Sequence, residues 1–461
     1  MEKNVVKILQ FGEGNFLRAF VDSMVCHANA AGVFAGGACV CNLRRSGSVE
    51  KIKNAGGVYN LISRGMQNGA AVSEITKIDS IIDAVNPYSE FEKFASFAES
   101  ETLRFIVSNS TEAGIRFSAA DSLSDTPPET FPAKLALLLY KRWRHFGGDT
   151  AKGLIILPCE LLERNGDALK ECVLKYAELW KLEAEFTAWL CAACVFCNTL
   201  VDRIVSGHPS DDEKDPAVRA LNDPISVVAE PYLLWAIQPK SVAAELPLDK
   251  CGLNVIFCDD IAPYRSRKVT LLNAPHTAMT AVGLLSGMQT VREAVEDPLV
   301  GKFVRGLMFE ELVPTLALPQ TESEAFAADV IDRFRNPFLE HKLKSIALNF
   351  VSKCNVRLVP PAEKYFEKFG KVPRRLAFAF AANILMAFAD KSALGDSPEA
   401  AQTASKPTPE AFAEAFVSSP RFTGGLSENA EFKNAVVCFV KKIGERGIAG
   451  ALGDFENGKS A

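Results

Sequence analysis

The apolar residues of this chain change their spacing a little past its midpoint. In the first part, short apolar runs alternate with segments whose apolar residues recur every three or four positions. Residues 5–11 form a run of the extended type, and residues 15–31 follow at helical spacing. The alternation continues with 38–43 extended, Phe91, Phe94 and Phe97 on one face of a helix, and 104–108 extended. Segments 133–146 and 167–182 read as helices on either side of an extended run at 153–157, and a last extended run lies at 254–258. Strands alternating with helices imply crossover connections, and so a mostly parallel sheet with helices on both faces.

From about Lys268 the period is helical throughout. Segments 277–285, 303–316, 322–334, 343–352, 374–389 and 430–443 each carry an apolar stripe. Thr321 and Glu324 have the spacing of a capping box at the start of the third of these. The apolar run 376–388 falls short of the roughly 18 residues a membrane-spanning helix needs, and reads as a buried helix. Residues 396–409, rich in Ser, Pro, Thr and Ala, read as an exposed loop. No internal repeat is present. The pattern predicts an α/β domain of the nucleotide-binding type over residues 1–260 and a mostly α-helical domain over 261–461.

Composition agrees with this and narrows the function. A chain of 461 residues exceeds the size at which one core stops growing, so two domains are expected. Hydrophobic residues at 48% and charged residues at 23% suit a soluble enzyme and exclude a disordered or fibrous chain. The net charge of −5 gives no general reason to bind nucleic acid or an anionic membrane. The N-terminal residues lack the apolar core of a signal peptide. The 12 cysteines are scattered, many inside apolar runs, which predicts free thiols in a reducing compartment. A cytoplasmic protein with a small-molecule ligand, as a monomer or small homo-oligomer, is the expectation.

Candidate chemistry begins where the first strand meets the first helix, at Phe11-Gly12-Glu13-Gly14-Asn15-Phe16. Gly12 permits a tight turn, and Gly14 lets a pyrophosphate approach the backbone at a helix N-terminus. Leu17 stands where a third glycine is usual, so the motif is incomplete and an ordinary strand–helix turn is the alternative. The second extended run ends in Asn42-Leu43-Arg44-Arg45-Ser46, without the Asp or Glu that binds the adenosine ribose of NAD. Arginines there can hold the 2′-phosphate of NADP, so the residues leave the cofactor open between NAD and NADP. Asn109 and Thr111 lie in a polar loop after another extended run, where open α/β sheets bind ligands.

A second group lies at the expected domain junction: Lys268, Asn273 and His276. At about 100° per residue they fall near 0°, 140° and 80° on a helix, one broad face. Pro275 interrupts that helix or kinks it. Hydride transfer to a ketone needs an acid at the oxygen and donors for its developing charge, and lysine, asparagine and histidine supply these. A surface lysine, a capping asparagine and a packed histidine are the alternative reading. Cys191, Cys194 and Cys197 have a metal-like spacing but sit in an apolar, helix-like run without a fourth ligand, which favours core cysteines. With 5 histidines and no HExxH or HxH pair, metal catalysis has little support. Asp202 and Arg203 follow an apolar helix-like run, either as a local ion pair or as a wall of a substrate pocket.

The segments ILQFGEGNFLRAFVD, FIVSNSTEAGI, PAKL, ILPCELLERNGDAL, TLVDRIVSG, DDIAPYRSRKVTLLNAPHTA and DRFRNPFLEHKLKSIALN together resemble the long-chain polyol dehydrogenases of the mannitol dehydrogenase type. Among them, the members acting on sugar acids are the most similar, and the resemblance fades after about residue 390. It implies a Rossmann-type first domain, a helical second domain and a zinc-independent reaction in the cleft between them. It implies that Lys268 is the general acid/base with Asn273 and His276 beside it, and that Asp202 lines the substrate site. Two positions depart from the mannitol-type pattern. Leu161 follows Cys159-Glu160 near where a second oxyanion asparagine is expected, and no acid follows the second strand. Sugar-acid members share the second departure and imply NAD as cofactor. A substrate carboxylate needs a cation, for which Arg203, Arg333, Lys353 and Arg357 are candidates by type.

Overall fold

The first apolar run is a strand, β1 (Val6–Phe11), with neighbours on both sides. In the computed structural model, residues 5–458 are described apart from Glu112, Asp211, Asp396, Ser397 and Ala404. The next strands are β2 (Gly37–Cys41), β3 (Tyr59–Gln67), β4 (Ala70–Ile78), β5 (Ile81–Val85), β6 (Phe105–Ser108) and β7 (Ile155–Pro158). They are followed by β8 (Val195–Phe196), β9 (Asn198–Asp202), β10 (Val205–Gly207), β11 (Val227–Ala229), β12 (Leu234–Gln238) and β13 (Val255–Phe257). The main sheet has the order β5-β2-β1-β6-β7-β8, with parallel neighbours throughout. The chain works outward from β1 through β2 to β5, then returns to β6 and leaves in the other direction. This is the doubly wound order whose switch point, between β1 and β6, opens a crevice at the strands' carboxyl ends.

Both faces of that sheet are covered. Leu9, Phe11, Ile106 and Ile156 pack on Leu135, Leu138 and Val173 of the helices Phe131–His145 and Asn165–Leu179. Ile8, Phe105 and Ile155 pack on Phe20 and Met24 and on Trp235 of β12. A strand buried on both faces reads as a continuous apolar run, which is how these strands stand out in the sequence. Two smaller sheets, β10-β11-β3-β4 and β13-β12-β9, are added; of their strands the sequence pattern singles out only β13, as the run at 254–258. β4 is exposed over most of its length, with only Ile78 buried, so it carries no apolar run.

The chain divides into two compact units: one contains Val72–Ile261 and the chain up to Arg64, the other contains Gly65–Ala71 and the chain from Ala262. The hairpin tip 65–71, inside the expected first domain 1–260, groups with the second unit. Within the second unit Gly69 N–H donates to the Asp332 carboxylate at 2.7 Å. The second unit is helical and is built around the buried helix Arg374–Ala389. Phe303, Phe378, Phe439 and Phe455 form an aromatic cluster with ring centroids 5.3 to 6.4 Å apart. The α/β-plus-helical fold class expected from the sequence is the one observed.

Several expected elements are corrected. The capping box of Thr321 and Glu324 does not form, because the helix already starts at Gln320, whose side chain donates to Glu324 at 2.7 Å. Segment 343–352 is two short helices, broken where Asn349 takes a left-handed φ of 58°. The stretch 396–409, partly outside the described residues, contains the helix Pro398–Thr403. Asp202 ends strand β9 and Arg203 follows it, so neither caps a helix.

The helices also contain wide turns that helical spacing does not reveal. π turns occupy Arg18–Asp22, Val269–Asn273, Leu307–Leu312 and Cys354–Leu358. In the last three a proline stands two residues beyond the turn: Pro275, Pro314 and Pro360. A proline ring clashes with the carbonyl four residues back, and a turn widened to five residues makes room for it.

Candidate active site

The crevice at the switch point is made by the residues after β1 and β6. Gly12 has φ 127°, and a Cβ on it would lie 2.9 Å from Asn109 O and 3.3 Å from Leu17 Cδ1. Its N–H donates to Cys41 O at 3.0 Å, so the turn is stitched to the end of β2. Only glycine fits there. Gly14 is exposed, with nothing within 4 Å of where a Cβ would stand, immediately before the helix that begins at Asn15. Gly14 thus stands uncrowded at the N-cap of this helix, and a helix N-terminus is the kind of place that receives a pyrophosphate. Asn15 is exposed and accepts from Arg18 at 2.6 Å, while Phe16 stacks on Phe20 at 5.0 Å. Gln10 braces the turn by donating to Gly12 O at 3.1 Å and to Asp22 at 3.2 Å. Complete burial pushes the Asp22 carboxyl up to about 7.

The loop after β6 is equally fixed. Asn109 N–H donates to Phe11 O at 3.1 Å and its side chain to Cys159 O at 2.7 Å. Glu160, buried, accepts from Ser108 Oγ at 3.0 Å and from Ser110 N and Oγ at 2.9 Å each. Burial raises the Glu160 carboxyl, and these hydrogen bonds oppose that rise. Thr111 is exposed just beyond. Glu160 as the latch of this loop was not predicted, although its Cys-Glu pair is visible in the sequence. Leu161 beside it is 64% exposed. Arg44 is exposed in the loop after β2.

In the second unit, the helix Ala262–Lys268 runs through the wide turn Val269–Asn273 into Ala274–Leu285. Ala274 N–H donates to Val269 O, five residues back. Residues five apart are therefore stacked across this turn, which brings Asn273 to Lys268 more closely than ideal helical spacing would. His276 is three residues on from Asn273, adjacent on the helix surface. The proline that complicates the sequence reading is thus accommodated by a turn that lies between Lys268 and His276. All three are half-buried.

His276 packs at 4.3 Å between ring centroids from Phe334 and at 5.1 Å, edge to face, from His341. Burial lowers the pKa of His341, leaving it neutral at neutral pH. Thr277, next in the chain, accepts from Arg357 Nη1 at 3.2 Å. Arg357 and Lys353 stand four residues apart across the turn Cys354–Leu358, and Lys353 donates to Ile346 O at 2.7 Å. Burial and then the Arg357 charge lower the Lys353 pKa, and burial lowers that of Arg357. Neither has a carboxylate partner among the described residues. Two like charges at this spacing repel, and an uncompensated pair is a ready anion site.

The other two candidate cations differ. Arg333 is buried near the end of the helix Gln320–Phe334. Arg203 is engaged by the first unit itself. Its buried guanidinium donates to Glu230 O at 2.9 Å, Ala19 O at 2.5 Å, and the Ser23 and Ser63 hydroxyls at 3.4 and 3.1 Å. It serves a carbonyl of the wide turn Arg18–Asp22, as Tyr59 does at Arg18 O, 2.6 Å away. Asp202 is buried at the end of β9. Cys191 is exposed while Cys194 and Cys197 are buried, and all twelve cysteines are free. Among the described residues no group of three or more His, Cys, Asp or Glu is placed to hold a metal ion.

Comparison with known proteins adds to this geometry. Residues 6–250 match the mannitol dehydrogenase Rossmann domain, and residues 260–443 match the mannitol dehydrogenase C-terminal domain. An altronate oxidoreductase of Bacillus subtilis is 45% identical over 398 residues, covering 86% of this chain and 82% of that one. One of Bacteroides thetaiotaomicron is 43% identical over 380 residues, covering 82% and 79%. Among solved structures, a substrate-free D-sorbitol dehydrogenase is similar at a TM-score of 0.82 and 22% identity, over 97% of this chain and 95% of that one. The Pseudomonas fluorescens mannitol 2-dehydrogenase complex with NAD and D-mannitol is similar at 0.66 and 22%, over 98% and 95%.

Proposed function

Because the chain belongs to the mannitol dehydrogenase family, we propose that it is an NAD-dependent oxidoreductase that reduces D-tagaturonate to D-altronate in hexuronate breakdown. What supports this reading is the wide turn Val269–Asn273 between Lys268 and His276, with Arg357, which has no carboxylate partner among the described residues, bonded to Thr277 next to it. Such a surface suits a substrate with both a ketone and a carboxylate. The names of the altronate oxidoreductase relatives support the same choice.

The glycine turn, the Gly14 opening and the loop held by Glu160 would hold NAD(H), with Gly12, Gly14, Asn15, Phe16, Asn109 and Thr111 at its edges. The hydride for the carbonyl carbon would come from NADH bound there. Lys268 gives a proton to the oxygen as its charge develops, and Asn273 donates a hydrogen bond there. In the reverse direction Lys268 takes that proton back. His276, set against Phe334 and His341, orients a neighbouring hydroxyl. Arg357 and Lys353 receive the carboxylate, and Asp202 accepts from sugar hydroxyls. Twelve free cysteines support a reducing, cytoplasmic setting.

Turnover of tagaturonate, fructuronate and fructose with NADH tests the assignment. Tagaturonate is expected to lead; fructose reduced as well as either uronate would overturn it.

A further inference from the structure

A second histidine meets His276, and the proton and carboxylate chemistry above leaves it without a task. His341 stands edge to face against His276, with ring centroids 5.1 Å apart. Its backbone is pinned from both sides. Val291 N–H donates to His341 O at 2.9 Å and Leu343 N–H to Gln289 O at 2.9 Å, around an antiparallel bridge of Lys342 with Thr290. Thr290 in turn caps the helix Val291–Glu296 through a complete capping box with Glu293.

Side chains of an extended segment alternate, so His341 and Leu343 share one side while the exposed Lys342 takes the other. Leu343 is fully buried and seats at Gly283, where a Cβ would stand 2.8 Å from Leu343 Cδ1. Gly283 lies about two turns beyond His276 on the same face of the helix Ala274–Leu285. The missing side chain at 283 lets the pinned segment come close, and the same approach sets His341 on His276.

His341 is half-buried, and its imidazole has no hydrogen-bond partner among the described residues. Burial alone lowers its pKa, so at neutral pH one nitrogen donates and the other accepts. A neutral ring does not attract a carboxylate as Arg357 and Lys353 do. It matches a hydroxyl, which also both gives and takes a hydrogen bond. Tagaturonate and fructuronate carry the same groups and differ in the configuration at one hydroxyl-bearing carbon. We propose that His341 binds that hydroxyl, beside the one His276 orients, and so selects which uronate is reduced. In the wrong configuration the hydroxyl loses this bond and the imidazole is left without one. This rests on the reading of Lys268, Asn273 and His276 as a site for sugar acids.

The test is kcat/KM for NADH-dependent reduction of tagaturonate and of fructuronate by the whole chain, by His341→Phe and by His341→Asn. Phenylalanine keeps a ring against His276 and removes both nitrogens, while asparagine restores a donor and an acceptor. His341→Phe is expected to lower the preference for the favoured uronate by about tenfold or more, and His341→Asn by less than about threefold. A preference within about twofold of wild type in His341→Phe overturns the proposal, whatever happens to the rates themselves. Melting curves and an NADH titration show that each variant folds; should His341→Phe fail to fold, His341→Leu is read by the same ratio. A wild-type chain that reduces neither uronate overturns the sugar-acid reading and this proposal with it. Wild-type turnover with a ratio that the variants do not move overturns this proposal alone.

Discussion

Replacing Arg357 by Gln removes one of two partly buried cations and keeps a donor for Thr277 Oγ1, now 3.2 Å from Nη1. At about 4 Å and an effective dielectric near 20, a unit charge pair is worth about 4 kcal/mol before desolvation. A hydrogen bond to a charged group retains about 1.5–3 kcal/mol of that. Loss of Arg357 is therefore expected to lower kcat/KM for a uronate by about 10- to 150-fold. A ketose without a carboxylate should be nearly unaffected. Folding should not suffer, because Arg357 and Lys353 repel each other across one turn, an effect of about 0.2–0.5 kcal/mol. The assay is NADH consumption with each substrate for wild type, Arg357→Gln and Lys353→Gln, with melting curves as control. Equal losses on charged and uncharged substrates, or no loss on either, would refute the carboxylate reasoning.

Two further outcomes follow from the first unit. Gly12→Ala puts a methyl 2.9 Å from Asn109 O at φ 127°, so it should destabilise the fold by about 1–3 kcal/mol and weaken NADH binding, as read by melting and titration. Asp22 has its carboxyl pushed by burial from 3.8 to about 7, so the folded chain holds a proton there that the unfolded chain has lost. Stability from this group therefore falls as pH rises from about 4 to about 7, by about 4 kcal/mol at most. Asp22→Asn keeps the acceptor for Gln10 and should be more stabilising at pH 8 than at pH 5; a pH-independent difference in melting temperature would contradict the assignment.

How far the sequence could be read depended on what each segment buries. β1, β2, β6 and β7 are covered on both faces and appear as apolar runs, so four of the six main-sheet strands and the glycine turn were legible, while β5 and the two-residue β8 were not. β4 shows most of its residues to water and was missed for that reason. Lys268, Asn273 and His276 could be picked out by residue type, but spacing alone left Pro275 as an obstacle. The wide turn that accommodates Pro275 depends on hydrogen bonding five residues apart, which the apolar period does not encode. For Arg203 the sequence shows its charge and not its acceptors: four oxygens, two of them main-chain carbonyls, engage it. Of the four cations considered by type, only contacts in the folded chain distinguish Arg203 from the Arg357–Lys353 pair. Glu160 was overlooked because its role depends on a loop fifty residues earlier in the chain.

The central claim is that Lys268 moves the proton in hydride transfer to a sugar-acid ketone. It is tested most directly by mixing NADH-loaded Lys268→Ala with tagaturonate and following a single turnover. The account predicts that NADH binds within about threefold of wild type while hydride transfer slows by at least about 100-fold. Hydride transfer at the wild-type rate, with NADH bound normally, would contradict it.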